Sequence, residues 1–249
     1  MKLKRLLKKI FFLGYKYYCP VCSSRIRFFR SLDPNNFKNH DHGFEDYETL
    51  NYDDYLCPVC YSTDRDRAIY FYLRTKIINS SAKINLLEFA PGSLREYLSK
   101  NREISYRTCD LFMNFVDDQF DIQSLGYPDS SFDILICSHV LEHVPDDLMA
   151  MRELYRVLKP SGTAILLVPI SLKLEQVRED KEGTVISDED RVSLYGQSDH
   201  LRLYSKTAFV SRLEKAGFKI SESKASDFVS QFEKYGISHS TILYIGEKL

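Results

Sequence analysis

The chain has 249 residues, of which 44% are hydrophobic and 28% are charged, with 10 Gly and 8 Pro. This composition excludes a disordered, collagen-like or low-complexity protein, and the length suits one domain of about 200 residues with a small appendage. A formal net charge of −1 excludes a protein that coats nucleic acid over its whole surface. The basic residues are nevertheless concentrated, because residues 1–30 contain nine Lys or Arg and no acidic residue.

Residues 1–18 form a basic amphipathic segment, MKLKRLLKKIFFLGYKYY. Its helical periodicity places lysines opposite an apolar face made of Leu3, Leu6, Leu7, Ile10 and Phe11. The uninterrupted apolar run covers only residues 10–13, which is too short for an export signal or a membrane span, so we expect a cytoplasmic protein. We favour a helix that docks on the rest of the protein by its apolar face. Peripheral membrane contact through residues 1–13, or contact with phosphate groups, are the alternatives.

The next module, residues 19–63, contains two CPVC motifs separated by 34 residues. Two such turns supply the four thiolates that a structural zinc ion prefers, and the pattern resembles a zinc ribbon. The predicted zinc ligands are Cys19, Cys22, Cys57 and Cys60. A redox dithiol or two disulfides are the alternatives, but the βαβ context of a redox CxxC is absent. His40 and His42 lie between the motifs, and we expect loop positions for both because four thiolates are available.

A linker of residues 64–83 follows, with a predicted helix over residues 64–77 and the sequence DRDR at its exposed start. From residue 84 onward, short apolar runs alternate with helical stretches, which is typical of a βαβ architecture with a parallel sheet. The predicted strands are 84–90, 104–110, 132–140, 163–170, 218–224 and 240–246, and the predicted helices are 94–100, 147–158 and 206–216. The predicted fold class is therefore α/β and Rossmann-like. Cys109 and Cys137 end predicted strands and are expected to be buried thiols.

Residues 132–170, FDILICSHVLEHVPDDLMAMRELYRVLKPSGTAILLVPI, resemble the middle of a class I S-adenosylmethionine-dependent methyltransferase of the type 11-like group. The resemblance extends over residues 84–249, and with the CPVC motifs it is similar to a zinc-ribbon-bearing subgroup of these enzymes. It implies a seven-stranded sheet whose last strand is antiparallel, with S-adenosyl-L-methionine across the carboxyl ends of the first strands. This location agrees with the general rule for ligands of open α/β sheets.

The resemblance also implies which residues bind the methyl donor. The turn EFAPGS after the first strand has one glycine and one alanine where the family has a glycine-rich loop, so we expect Glu88, Ala90 and Gly92 beside the cofactor. Glu88 capping the next helix is the alternative. Asp110 closes the second strand, where its carboxylate would accept hydrogen bonds from the ribose hydroxyls. A turn or N-cap role for Asp110 is the alternative.

Further residues of the resemblance concern the adenine ring and the cleft. Asp121 and Ile122 resemble the family's acidic and apolar pair beside adenine, while Asp117 and Asp118 compete for the acidic role. Ser138 ends the strand that opens into the cleft, where we expect it to contact the cofactor.

The candidate catalytic residues are two histidines. His139 follows the cleft strand and is a candidate general base, although many methyltransferases act by alignment and desolvation. Glu142 and His143 are expected to cap and support the following helix. His200, the second candidate, comes after a long polar insert, residues 171–198, that we interpret as a lid.

The sequence DHLRLYS follows the insert and is dense in polar groups. Here Asp199 would orient His200, while Arg202 and Tyr204 would bind an acidic acceptor. A capped helix start with a surface histidine is the equal alternative.

These residues together predict methyl transfer to a hydroxyl or carboxylate of a saccharide or other small molecule. Residues 31–249 carry a formal charge of −10, which would repel a phosphate backbone. An RNA methyltransferase that docks through the basic amino-terminal end is the second hypothesis. A non-catalytic cofactor-binding or zinc-scaffold protein is the third. The oligomeric state is not predicted.

Overall fold

A computed structural model describes residues 2–33, 35, 40–41, 43, 46–78, 82–180 and 185–249. The helices are α1 (Lys2–Phe11), α2 (Asp64–Ile78), α3 (Arg95–Lys100), α4 (Asp147–Val157), α5 (Asp188–Tyr195) and α6 (Lys206–Lys215). The strands are β1 (Leu13–Cys19), β2 (Ser24–Ile26), β3 (Ile84–Phe89), β4 (Ile104–Cys109), β5 (Phe132–Ser138), β6 (Leu158–Leu167), β7 (Arg178–Glu179), β8 (Arg202–Leu203), β9 (Lys219–Lys224) and β10 (Ile242–Glu247). The predicted α/β class is confirmed, and the predicted strands and helices agree with these bounds to within two residues, except that β6 begins five residues before the predicted start at residue 163 and also ends before the predicted end at residue 170.

The central sheet has the strand order β4-β3-β5-β6-β10-β9. Strands β4, β3, β5 and β6 are parallel, whereas β10 is antiparallel to both of its neighbours, as the resemblance implied. The expected count of seven strands is wrong for the described residues, which form a six-stranded sheet. Beside β4, the chain makes only a single parallel bridge between Cys109 and Asp118. The sequence around this bridge, NFVDDQFD, contains three aspartates, which disfavour a longer strand.

The core lies between the sheet and the helices that pack on it. Asp146 caps α4, because its carboxylate accepts a hydrogen bond from the backbone N–H of Met149. Helical spacing then turns Ala150, Leu154 and Val157 toward the sheet, and all three are completely buried. Both faces of the parallel strands are covered in this way, which explains their continuous apolar sequences. The thiols of Cys109 and Cys137 are buried in this core, as expected.

The amino-terminal helix α1 corrects one prediction. Its apolar side chains are exposed, at 69% for Leu3 and 73% for Phe11, and at 54% to 64% for Leu6, Leu7 and Ile10. The helix instead contacts the protein through its basic face: Arg5 pairs with Glu96, and the Lys9 ammonium donates to the Cys22 carbonyl. Docking by the apolar face is therefore wrong. None of the helices within the described ranges is both long and apolar enough to cross a bilayer.

The start of α2 corrects a second prediction. The DRDR sequence is not exposed, because the side chains of Asp64 and Arg67 are completely buried. The guanidinium of Arg67 donates to the carbonyls of Ser62 and Gly236 and lies 3.9 Å from the Phe29 ring centroid. Arg67 therefore joins the cysteine-containing module to the carboxyl-terminal part of the chain.

Candidate active site and cysteine cluster

The carboxyl ends of three parallel strands meet at one edge of the sheet. In the register, Phe89 of β3 lies beside Cys109 of β4 and Cys137 of β5. The residues that follow these positions, including Ala90, Asp110 and Ser138, therefore lie at neighbouring strand ends. This edge is the place where open α/β sheets bind ligands.

The turn after β3 combines a buried acid with an open backbone. Glu88 is buried and accepts a hydrogen bond from the Tyr106 hydroxyl, and its burial raises the pKa of this carboxyl group to about 7. Ala90 has a positive φ of 47°. Glycine, which the family has in this turn, adopts this conformation with less strain than alanine. A Cβ added to Gly92 would meet nothing within 4 Å. The turn thus leaves space for the close approach of a ligand.

Asp110 holds the next turn. Its Oδ1 atom accepts hydrogen bonds from the backbone N–H groups of Phe112 and Met113, at 2.7 and 2.8 Å. Asp110 therefore has the turn role that was the alternative to ribose binding. Within the described part of the chain, the second carboxylate oxygen has no hydrogen-bond partner, so it remains able to accept from a ligand hydroxyl.

Two of the aspartates after β4 have structural partners, and a third remains a candidate cofactor ligand. Asp117 accepts hydrogen bonds from Thr108, and Asp118 pairs with Arg107, so neither carboxylate needs a ligand. Among the described residues, the Asp121 carboxylate accepts hydrogen bonds only from the backbone and side-chain N–H groups of Gln123. Ile122, the apolar member of the predicted pair, is buried in the core.

His139 lies where β5 opens into the cleft, directly after Ser138. Its φ is +57°, an uncommon conformation for a residue with a side chain, and such strain is frequent at functional sites. The Nδ1 atom lies 3.2 Å from Oε1 of the completely buried Glu142. Burial, followed by the charge of Arg65, lowers the pKa of His139.

A cavity of about 410 Å³ lies beside His139, between the cysteine-containing module and the sheet domain. The module contributes Leu32, His40, Tyr47, Thr49, Leu50 and Tyr55, and helix α2 contributes Arg65. The sheet domain contributes His139, Leu167, Val168, Pro169, Ile170, Tyr195, Gly196, Gln197, His200 and Tyr244. Sequence reasoning found only the two catalytic candidates among these residues. The four tyrosines and Arg65 were missed because their proximity depends on how the module packs.

The predicted acceptor cluster is only partly at this cavity. His200 lines it, with Nδ1 located 2.9 Å from the Tyr195 carbonyl oxygen, whereas Asp199 is mostly exposed and lies beside His143. Asp199 therefore does not orient His200.

The other two members of this cluster, Arg202 and Tyr204, are buried. The Arg202 guanidinium, 5% exposed, donates to the backbone carbonyls of Leu141, Val144 and Pro145. The Tyr204 hydroxyl donates to Asp147 at 2.6 Å. Because these donors are already used inside the protein, the prediction that Arg202 and Tyr204 bind the acceptor is replaced by a structural role.

The insert that we interpreted as a lid contains ordered elements. β7 pairs with β8, and α5 begins at the Ser187 N-cap. Tyr195 at the end of α5 lines the cavity, and the Ser193 hydroxyl donates to Asp41 of the cysteine-containing module at 2.7 Å. The insert thus forms one wall of the cavity, and residues 181–184 lie outside the described part of the chain.

The four CPVC thiols converge at the β1–β2 turn and the start of α2. The Sγ atoms are 3.7 Å apart for Cys19 and Cys60 and 3.9 Å apart for Cys22 and Cys57. A disulfide needs a sulfur separation of about 2 Å, so these contacts exclude the two disulfides. A tetrahedral zinc ion with Zn–S bonds of about 2.3 Å separates its sulfur ligands by about 3.8 Å, which fits the observed distances. His40 lines the cavity instead, and His42 lies outside the described residues.

The parallel strands, the antiparallel β10 and the ligand-binding strand ends define a class I S-adenosylmethionine-dependent methyltransferase fold. A family model described as "Methyltransferase domain" matches residues 68–223, and the chain belongs to this family. The match begins inside α2, so the family's domain includes part of the segment that we predicted as a linker.

The chain is similar to three further proteins. The ubiquinone/menaquinone biosynthesis C-methyltransferase UbiE of Rickettsia akari is 34% identical over 83 residues, which are 33% of this chain and 34% of the relative. The 27-O-demethylrifamycin SV methyltransferase of Amycolatopsis mediterranei is 38% identical over 90 residues, covering 33% and 32%. The chain thus spans about a third of the length of these curated relatives. The structure of phosphoethanolamine N-methyltransferase 2 of Haemonchus contortus, in complex with S-adenosyl-L-methionine, matches 74% of this chain and 52% of its own at 14% identity and a TM-score of 0.47.

Proposed function

We propose that this protein transfers a methyl group from S-adenosyl-L-methionine to a hydroxyl or carboxylate of a small molecule, with a saccharide favoured. The observation that carries this proposal is the cavity beside His139, which is walled by both modules and by the insert. Its volume lies in the range of small-molecule sites. Tyrosine, histidine and arginine side chains suit an acceptor with several hydroxyl groups or an acidic group.

The donor would bind at the neighbouring strand ends. Gly92 leaves room for its backbone approach, and the second oxygen of Asp110 would accept from its ribose hydroxyls. Asp121 would accept from the adenine amino group. When bound, S-adenosyl-L-methionine supplies a methyl group on a positively charged sulfur, which is a good leaving group.

The protein's own contribution is mainly alignment. His139 faces the cavity next to Ser138 at the end of β5, so its imidazole would accept a hydrogen bond from the acceptor hydroxyl and take up its proton. His200, which lines the same cavity, would help to position the acceptor. Closure by the insert would exclude water from the reacting atoms.

Two considerations favour a small acceptor over RNA. The cavity is a cleft between the modules, and residues 31–249 have a formal charge of −10. The Amycolatopsis relative is named for a small-molecule substrate, 27-O-demethylrifamycin SV. RNA remains the alternative because the basic residues are gathered at the amino-terminal end.

The test is incorporation of a labelled methyl group into a small-molecule extract and into total RNA. His139→Gln is expected to reduce small-molecule labelling at least tenfold, while His239→Gln, on an exposed loop, serves as the matched control. RNA labelling that disappears when Lys4, Arg5, Lys8 and Lys9 are replaced by Gln would overturn the small-molecule proposal. Absence of labelling in both pools, with the cofactor bound, would favour the non-catalytic alternative.

We further propose that the CPVC cluster holds a structural Zn²⁺ and that the protein is cytoplasmic. A metal would stabilise a module that is too small for an independent core.

The exposed apolar face of α1, followed by the exposed Tyr15 and by Lys16, supports peripheral contact with an anionic membrane surface. Co-sedimentation with anionic vesicles that is lost in Leu7→Glu would support this contact, and no sedimentation of the wild type would refute it.

A further inference from the structure

A buried acid near the cavity, Glu142, has an ion-pair contact with His139 but no hydrogen bond to its carboxylate oxygens among the described residues. Glu142 is completely buried, and neither of its carboxylate oxygens has a hydrogen-bond partner among the described residues. The nearby Nδ1 atom of His139 approaches Oε1 to 3.2 Å without hydrogen-bond geometry. A buried carboxylate whose oxygens accept no well-formed hydrogen bond is costly, and such groups are commonly neutralised by several partners or by a metal.

Each of two histidine side chains beside Glu142 has its Nδ1 atom next to an oxygen that can accept a hydrogen bond. His200 is 2% exposed, and its Nδ1 atom lies 2.9 Å from the carbonyl oxygen of Tyr195, which only accepts hydrogen bonds. The proton of His200 is therefore on Nδ1, and Nε2 presents a lone pair. This Nε2 atom is buried and has no partner in the described part of the chain.

His143 has the same arrangement. Its Nδ1 atom lies 3.2 Å from a carboxylate oxygen of Asp199, which leaves Nε2 for a ligand. Histidine ligands of metals usually donate their other ring N–H to a carboxylate or a carbonyl oxygen, and both forms of this support occur here.

We infer that Glu142, His143 and His200 form a second metal site for a divalent transition ion such as Zn²⁺, separate from the cysteine cluster. One potential ligand atom of each residue lies within 4.8 Å of those of the other two. Two imidazoles and one carboxylate form the ligand set of metal sites that keep a coordination position open. A divalent cation would also compensate the buried charge of Glu142.

The position of this site gives it a function that rests on the proposed methyl transfer. His200 lines the cavity, so an open coordination position would face the acceptor. A metal there would bind an acceptor oxygen and increase its acidity. Metal binding itself does not depend on the identity of the acceptor or on catalysis.

The experiment is measurement of metal content in the full-length protein after incubation with Zn²⁺ and desalting. Glu142→Gln and His200→Asn are expected to bind one zinc equivalent less than the wild type, while His239→Asn binds the same amount. The asparagine amide can still donate to the Tyr195 carbonyl, so its fold should be preserved. Equal zinc content in the wild type and in both folded variants would overturn the inference.

A second measurement keeps the inference testable if these variants do not fold. The wild-type protein is titrated with Co²⁺, whose absorption separates thiolate sites from nitrogen and oxygen sites. We expect a further visible band beyond the thiolate-associated absorption of the cysteine cluster, and we expect this band to persist in Cys57→Ser. A titration with only thiolate-associated absorption would overturn the second site without affecting the methyl-transfer proposal.

Discussion

The Nη2 atom of Arg67 donates a hydrogen bond of 2.7 Å to the carbonyl oxygen of Gly236, 169 positions further along the chain. This contact connects the helix that follows the second CPVC motif with the segment before β10. Because the two modules form the walls of the cavity together, the Arg67 contact helps to hold the walls of the candidate acceptor site in place.

Replacing this anchor should destabilise the whole protein. In Arg67→Lys, one ammonium group cannot reach the several buried carbonyls that the guanidinium satisfies, so we expect a loss of about 3 kcal/mol in the free energy of unfolding. The measurement is urea denaturation followed by circular dichroism. Arg74→Lys, on the exposed side of the same helix, should change stability by less than about 0.5 kcal/mol. Similar effects of both variants would contradict a special role for Arg67.

The cysteine cluster should carry one metal equivalent of its own. Cys57→Ser removes one of four converging thiols, so zinc should be lost and proteolysis of residues 15–62 should increase. Metal analysis and limited proteolysis measure the two effects. Cys137→Ser, a change at a buried thiol of strand β5, is the matched control and should retain zinc. Retention of all bound zinc in Cys57→Ser would refute this assignment.

Asp110 should control binding of the methyl donor. In Asp110→Asn, the amide oxygen still accepts from Phe112 and Met113, but the amide nitrogen cannot accept from ribose hydroxyls. We expect an unchanged melting temperature of the free protein and about 10- to 100-fold weaker binding of S-adenosyl-L-methionine. Calorimetry measures the affinity, with Asp129→Asn as an exposed control. Equal affinity of wild type and Asp110→Asn would exclude a ribose contact.

Glu88 should make stability depend on pH. Its pKa is raised from 4.5 to about 7 by burial, so its contribution to stability is complete below about pH 4.5 and is lost as the pH rises through 7. Glu88→Gln removes this dependence. The free energy of unfolding of the variant relative to the wild type should increase by up to about 3 kcal/mol between pH 5 and pH 8.

A second glutamate provides a control of opposite sign. Its partner Arg156 lowers the pKa of Glu153, so stabilisation by Glu153 is present above its unfolded pKa and is lost in acid. Glu153→Gln should therefore destabilise the protein at pH 8 more than at pH 4. Denaturation curves across this range compare both variants. A pH-independent difference between Glu88→Gln and the wild type would show that Glu88 does not titrate as described.

Substitutions at Arg202 and Arg65 should distinguish an effect on stability from an effect on acceptor binding. Arg202→Lys loses contacts with buried carbonyls and should lower the free energy of unfolding by about 2 to 3 kcal/mol, without changing the KM for the acceptor in the folded fraction. Arg65→Lys makes the same chemical change at the cavity wall and should raise this KM with little effect on stability. The reverse result, a changed KM for Arg202→Lys alone, would restore the predicted acceptor role of Arg202.

Local sequence patterns determined most of the fold. The apolar runs from β3 to β6 and the amphipathic α4 are strongly periodic, so their type and approximate bounds followed from the residues alone. The convergence of the cysteines was also predictable, because each CPVC turn already brings two thiols together. The resemblance of residues 132–170 to methyltransferases was enough to indicate the family.

Only the tertiary structure decided how long-range neighbours meet. The exposed apolar face of α1 could not be foreseen, because periodicity shows that a helix has two faces but not which one contacts the protein. The burial of Arg67 and Arg202 depends on carbonyl groups that are far away in the sequence. The cavity and the Glu142, His143 and His200 cluster arise for the same reason, since they form where separate segments pack together.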